Sequence, residues 1–151
     1  MRRFGFLTEL QVRVLKLRSR GMSLREVAAV LGTSHQNVSV AERRARENVR
    51  AAEDTILAYR AATAAVRVVV PEGTHLAEVP RIVMEECDKA GVKLRADFTL
   101  IFKLLHFSRP PCVEGRRLSR PVIVLVDREG YLSIHPLDDR VEEIVKGVDS
   151  L

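Results

Sequence analysis

Ala28, Gly32 and Val38 constrain this chain more than any other residues, because between Leu24 and Arg43 they fall at the spacing of a helix-turn-helix. Ala28 stands where two helices cross and only a small side chain fits. Four residues on, Gly32 occupies the bend, where the backbone commonly needs a positive φ that other residues adopt only at a cost. Six residues further, Val38 is the apolar peg that locks the second helix onto the first.

The helix ends agree with that spacing. Thr8 is an N-cap with Gln11 at the third helical position, and Leu7 with Val12 completes a hydrophobic staple. Ser23, Glu26, Met22 and Val27 repeat the device, and Thr33 or Ser34 caps a third helix with Gln36 or Asn37 in its first turn. These caps predict a support helix from about Glu9 to Arg20, a second from Leu24 to Leu31, and a recognition helix beginning at Ser34.

Charge follows the same division. Residues 1–50 hold 11 Lys and Arg against 4 Asp and Glu, a net of +7, while residues 51–151 hold 14 against 16, a net of −2. The whole positive excess of the chain therefore lies with the motif, as a phosphate-binding module requires. No run of roughly eighteen apolar residues occurs, so no membrane span is expected. Met1-Arg2-Arg3-Phe4 is basic but lacks the apolar stretch of a secretory signal, which leaves the cytoplasm as the default compartment.

With Val38, Ala41 and Ala45 facing inward, helical geometry turns His35, Gln36, Ser39, Val40 and Arg43 outward along one face. A helix-turn-helix presents that face to base edges in the major groove. Gln36 suits adenine, Arg43 suits guanine and Val40 suits a thymine methyl; His35 meets a guanine or a phosphate. Phosphate contacts position without specifying. Their candidates are Thr33, Ser34, Arg25, Arg44, Arg46 and Arg50, with Arg2 and Arg3 on a flexible arm.

From Glu42 to Val66 there is no Gly or Pro, so the helix is expected to run on. Val49, Ala52, Ile56, Tyr59, Thr63 and Val66 recur at alternating spacings of three and four, a seam that pairs two chains or packs on the chain's own second half. Two recognition helices paired this way would sit about 34 Å apart, one DNA turn, on a palindromic site.

Beyond Val66 the period changes. Val66 to Val70 is β-branched and ends in a turn at Pro71 to Thr74. An amphipathic helix is expected over Leu76–Ala90, stopping at Gly91, then a short strand at Val92–Arg95 and an apolar helix over Phe98–Phe107 capped by Asp97. Part of that apolar surface reads as a subunit interface. Ser108 to Arg120 reads as a loop. Pro121–Val126 and Tyr131–His135 form a β-hairpin about Gly130, and a last helix runs from Asp138 and Asp139 through Lys146. The fold class is thus α+β: an all-α helix-turn-helix domain over residues 1–66 running through a long helix into a small α+β assembly or effector domain over 67–151.

Cys87 and Cys112 lack the spacing of a zinc site, so no metal or cofactor is expected. Cys87 shares a helical face with Leu76, Val79, Val83 and Ala90, as a buried small hydrophobe does; a bridge to Cys112 stays open. There is no Gly-rich phosphate loop, nucleophile elbow or His-Glu-x-x-His, so an enzyme is not expected.

Phe6-Leu7-Thr8, Leu17-Arg18-Ser19-Arg20-Gly21, Glu26-Val27-Ala28, Leu31-Gly32-Thr33-Ser34, Asn37-Val38-Ser39 and the run from Glu42 to Val49 together resemble the Tfx family of archaeal DNA-binding proteins. The resemblance extends through Ile82-Val83 and Asp88 to Lys93. It implies a transcriptional regulator with an N-terminal helix-turn-helix, similar in style to region 4 of bacterial sigma factors, and a C-terminal α+β domain.

The leading expectation is a sequence-specific double-stranded DNA binder that regulates transcription as a homodimer, with a small-molecule effector or the transcription machinery as a further partner. Two alternatives are a ligand-sensing or protein-binding adaptor, which an apolar cleft between the Phe98–Phe107 helix and the sheet would support, and a protein that coats nucleic acid without reading sequence.

Overall fold

The computed structural model describes residues 2–151 and divides the chain into two compact units that part between Thr55 and Ile56. In the first, β1 (Arg3–Phe4) and β2 (Leu7–Thr8) form a hairpin that turns at Gly5, followed by α1 (Glu9–Ser19), α2 (Leu24–Leu31) and the start of α3 (His35–Thr63). Arg3 therefore belongs to a hairpin, with Arg2 directly before it, and not to a flexible arm. The Asn48 side-chain amide on α3 donates to the Phe6 carbonyl at 3.0 Å and ties the hairpin down.

The expected caps form. Thr8 Oγ1 accepts from the Gln11 amide at 3.2 Å while Gln11 Oε1 accepts from the Thr8 amide at 3.0 Å, a complete capping box. Ser23 Oγ accepts from the Glu26 amide, and Ser34 Oγ from the Asn37 amide, each at 3.1 Å. Gly32 ends α2 at φ +65°, in the left-handed region its place in the bend requires. Val14, Val27, Ala28, Val38 and Ala41 bury together where the three helices meet.

The second unit is built on an antiparallel sheet in the order β3 (Val66–Val70), β6 (Val122–Val126), β7 (Leu132–Pro136). Every residue of the central strand β6 is buried, and its alternation feeds two cores. Val122, Val124 and Val126 join Val66, Val68 and Val70 against α4 (Glu78–Ala90) and α5 (Phe98–Phe107), through Val79, Val83, Cys87, Ile101 and Leu105. On the other face, Ile123 and Leu125 pack on Leu57 and Ala61 of α3 and Val145 of α6 (Asp139–Asp149). An antiparallel sheet covered on both faces explains why β6 reads as a continuous apolar run.

Several expectations need correction. Val92–Arg95 makes no strand; it crosses over the β6–β7 turn, where the Arg95 amide donates to the Gly130 carbonyl at 2.9 Å. A Cβ on Gly130 would lie 1.9 Å from the Lys93 carbonyl oxygen, so the crossing demands glycine there. The expected loop at Ser108–Arg120 contains a hairpin, β4 (Val113–Glu114) with β5 (Arg117–Leu118). Backbone bonds from Leu76 to Arg116 and from Gly73 to Leu118 pin it to the segment before α4. Those bonds also hold Leu76 outside α4, which starts two residues later than expected, while α6 runs three residues past Lys146. Val66 leaves the helical seam altogether: α3 ends at Thr63, and Val66, only 5% exposed, opens β3 in the core. Ala90 is exposed, unlike the other residues of its expected face. Cys87 and Cys112 are both buried free thiols, and the Cys112 Sγ–H donates to the Leu105 carbonyl at 3.4 Å. Burial pushes both thiols above their ordinary pKa, so neither is a ready nucleophile.

Candidate nucleic-acid interface

The first turns of α3 expose what the sequence assigns to base reading. Val38, Ala41 and Ala45 are buried on one side of the helix, and the periodicity of 3.6 residues leaves His35, Gln36, Ser39 and Arg43 exposed and Val40 half-buried on the other. At its N-terminus Ser34 is the cap, and beside it Thr33 Oγ1 accepts from the Asn37 side chain, Nδ2, at 3.1 Å. Their hydroxyl protons remain available to an anion beside the backbone N–H groups of the helix end.

Beside that face runs a charged framework that sequence reading missed. Glu42 on α3 accepts from Arg18 Nε of α1 at 2.9 Å and from Arg46 Nη2 at 2.9 Å, and Arg18 Nη1 donates to the Met22 carbonyl at 2.7 Å. Glu42 is 13% exposed at its side chain. Desolvation pushes its carboxyl up, but the hydrogen bonds and charges of Arg46 and Arg18 together outweigh that and hold it below the usual carboxylate range. The network joins α1 to the reading helix and orients Arg46 along it. Only the i, i+4 spacing of Glu42 and Arg46 was visible beforehand; the link to Arg18, 24 residues away, was not.

Arg43 is held far more loosely. Its Nε lies 3.9 Å from Glu47 Oε1, and both side chains are about two-thirds exposed. Glu47, one turn on, thus belongs to the same outward face and was not among the expected contacts. Arg18, Ser39, Glu42, Arg43, Arg46, Glu47 and Arg50 line a concavity of about 450 Å³ together with Leu24, in which arginines outnumber glutamates. Arg25 and Arg44 are exposed, and Arg2 stacks its guanidinium over the Phe4 ring at 5.2 Å in the hairpin.

Further along α3, Val49 is 40% exposed and Ala52 half-buried in the first unit; in the second, Ile56 is 50% and Tyr59 68% exposed, with Thr63 also exposed. Apart from Val66, the seam residues thus leave apolar surface open at Val49 in the first unit and at Ile56 and Tyr59 in the second, where α3 packs through Leu57 and Ala61 instead. Among the described residues no three His, Cys, Asp or Glu side chains converge to hold a metal, and no helix is long and apolar enough to cross a membrane.

The family described as DNA-binding protein TFX, C-terminal, matches residues 52–134, more than half of the chain. The chain belongs to the Tfx family. This Tfx-family chain is 37% identical over 129 residues to the DNA-binding protein Tfx of Methanothermobacter thermautotrophicus, covering 85% of its own length and 94% of that relative. It is 33% identical over 130 residues to a protein of Methanocaldococcus jannaschii named for transcriptional regulation, covering 86% and 95%, and 36% identical over 130 residues to one of Thermococcus kodakarensis, covering 86% and 85%. At 129–130 residues each, these alignments are too long to fall within either compact unit alone.

Proposed function

We propose that this Tfx-family protein regulates transcription by binding double-stranded DNA sequence-specifically, with α2 and α3 acting as a helix-turn-helix and α3 entering the major groove. The observation that carries the reading is the division of α3 into a stripe locked in the core by Val38, Ala41 and Ala45 and an opposite stripe in which His35, Gln36, Ser39 and Arg43 are exposed and Val40 half-buried. Thr33, Ser34, Arg2, Arg3, Arg25, Arg44, Arg46 and Arg50 supply the phosphate contacts around it. Arg46 serves two roles, since a guanidinium has donors left after Glu42 is satisfied.

The protein acts as a homodimer through Val49, Ala52, Ile56, Tyr59 and Thr63 of α3, with residues 1–66 reading DNA and 67–151 serving assembly or an effector. Apolar surface open at Val49, Ile56 and Tyr59 on a helix otherwise rich in charge gives a second copy something to bury. Selection of bound duplexes from a random pool tests the whole reading. It predicts enrichment of a palindromic site with half-sites about one helical turn apart; a pool that stays random, with strongly salt-dependent binding, would favour a protein that coats DNA without reading it.

A further inference from the structure

Between α5 and the sheet, Ile101, Val122, Val124 and Val126 are wholly buried and Leu105 nearly so. A cleft of the second unit opens on the opposite side, between the end of α3 and the β6–β7 hairpin. It measures about 480 Å³ and has a floor of Leu125 and Ser133, while Leu132, paired with Val126, turns its side chain to the α4–α5 face. Tyr59, Arg60 and Thr63 of α3 form one wall, and Asp127, Arg128, Glu129 and Tyr131 of the hairpin turn form the other.

Both signs of charge meet in this cleft. Among the described residues no carboxylate pairs with Arg60 or Arg128. Asp127 Oδ1 is taken up by the backbone N–H groups of Glu129 at 2.9 Å and Tyr131 at 3.0 Å, which leaves its other oxygen open, and the Glu129 carboxylate makes no ion pair. The turn that carries these groups is held by contacts of its own. Arg95 donates from Nε to the Glu129 carbonyl at 2.6 Å and lies 5.3 Å from the centre of the Tyr131 ring, and Gly130 fits under Lys93 without room for a side chain. Behind the floor, His135 Nε2 lies 2.8 Å from Ser133 Oγ, and burial first, then the charge of Arg60, brings its pKa down to about 4. His135 is therefore neutral near pH 7, and the lining balances two cations against two anions.

We infer that this cleft binds a small zwitterion of the α-amino-acid class, its carboxylate held by Arg60 and Arg128, its ammonium by Glu129 and Asp127, and its side chain against Leu125 and Tyr131. A pure anion or cation meets only one pair of these charges, whereas a zwitterion meets both. The site does not depend on how the first unit meets DNA, and it is tested without DNA.

Isothermal titration of the full-length protein with each standard L-amino acid at millimolar concentration should find a ligand. Its N-acetyl and its amide derivatives, which each keep one charge, should bind at least about tenfold more weakly, and so should the parent ligand to Arg60→Gln and to Glu129→Gln. Both substitutions lie on the surface, and circular dichroism checks that each variant is folded. A series in which no amino acid binds overturns the inference, and so does an N-acetyl derivative that binds as tightly as its parent, since the ammonium would then contribute nothing.

Discussion

The two compact units hold themselves together by different means. In the second, fifteen buried residues drawn from β3, α4, α5, the β4–β5 hairpin, β6 and the segments between them close one continuous core. The described core of the first unit has five, two of them alanines, and its order rests on helix caps and on the Arg18–Glu42–Arg46 network. A unit with so little apolar burial draws a larger share of its stability from individual polar contacts. The difference suits their proposed tasks: the unit that reads DNA gains contacts when it binds, while the other carries the fold unaided.

Substitutions matched to each unit put that contrast at risk. The largest effect is expected at Gly130, where alanine brings a Cβ to 1.9 Å from a backbone carbonyl at φ +92°; we expect Gly130→Ala to destabilise the second unit by about 3–5 kcal/mol. Hydrogen exchange resolved by unit should show protection lost in residues 56–151 and kept in α1 and α2. Loss of equal size in both would mean that the two units unfold as one.

Overpacking the small core comes next. Ala28→Leu should cost about 1–3 kcal/mol, because α1, α2 and α3 meet where only a methyl group fits, and thermal unfolding should show the loss in the first unit alone. A neutral outcome would mean that the crossing has slack.

The smallest effect depends on pH. Glu42→Gln should destabilise the first unit by about 1–2 kcal/mol at pH 7 through its charge-assisted hydrogen bonds. The folded carboxyl is held below its unfolded value, so its contribution is complete above the unfolded pKa, near about 4, and fades as pH falls through the folded one. Unfolding midpoints of the two proteins should therefore converge under acid conditions. A gap that does not change with pH would show that Glu42 acts through packing and not through its charge.

What could be read beforehand divides along the same line. The caps at Thr8, Ser23, Ser34, Asp97 and Asp138 and the stops at Gly32 and Gly91 are local, involving residues three to five apart, and each was visible in the sequence. The end of α3 was overrun by three residues because Thr63, Ala64, Ala65 and Val66 carry no breaker; β6 claims Val66 from 60 residues away. The β4–β5 hairpin and the path of Val92–Arg95 are likewise set by partners distant in the chain, Gly73 to Leu76 and Gly130, which no local pattern reports. At the proposed interface the outward face followed from helical period alone. The Arg18 link did not, since it requires knowing how α1 lies on α3.

The central claim is that the exposed face of α3 reads bases. It is tested most directly by measuring the affinity of Arg43→Ala and Arg44→Ala for the selected duplex and for random duplexes under the same salt conditions. Arg43→Ala should lose about 1–3 kcal/mol of discrimination between the two, and Arg44→Ala should weaken both alike with a shallower salt dependence. An Arg43→Ala protein that loses affinity equally for both duplexes would contradict the account.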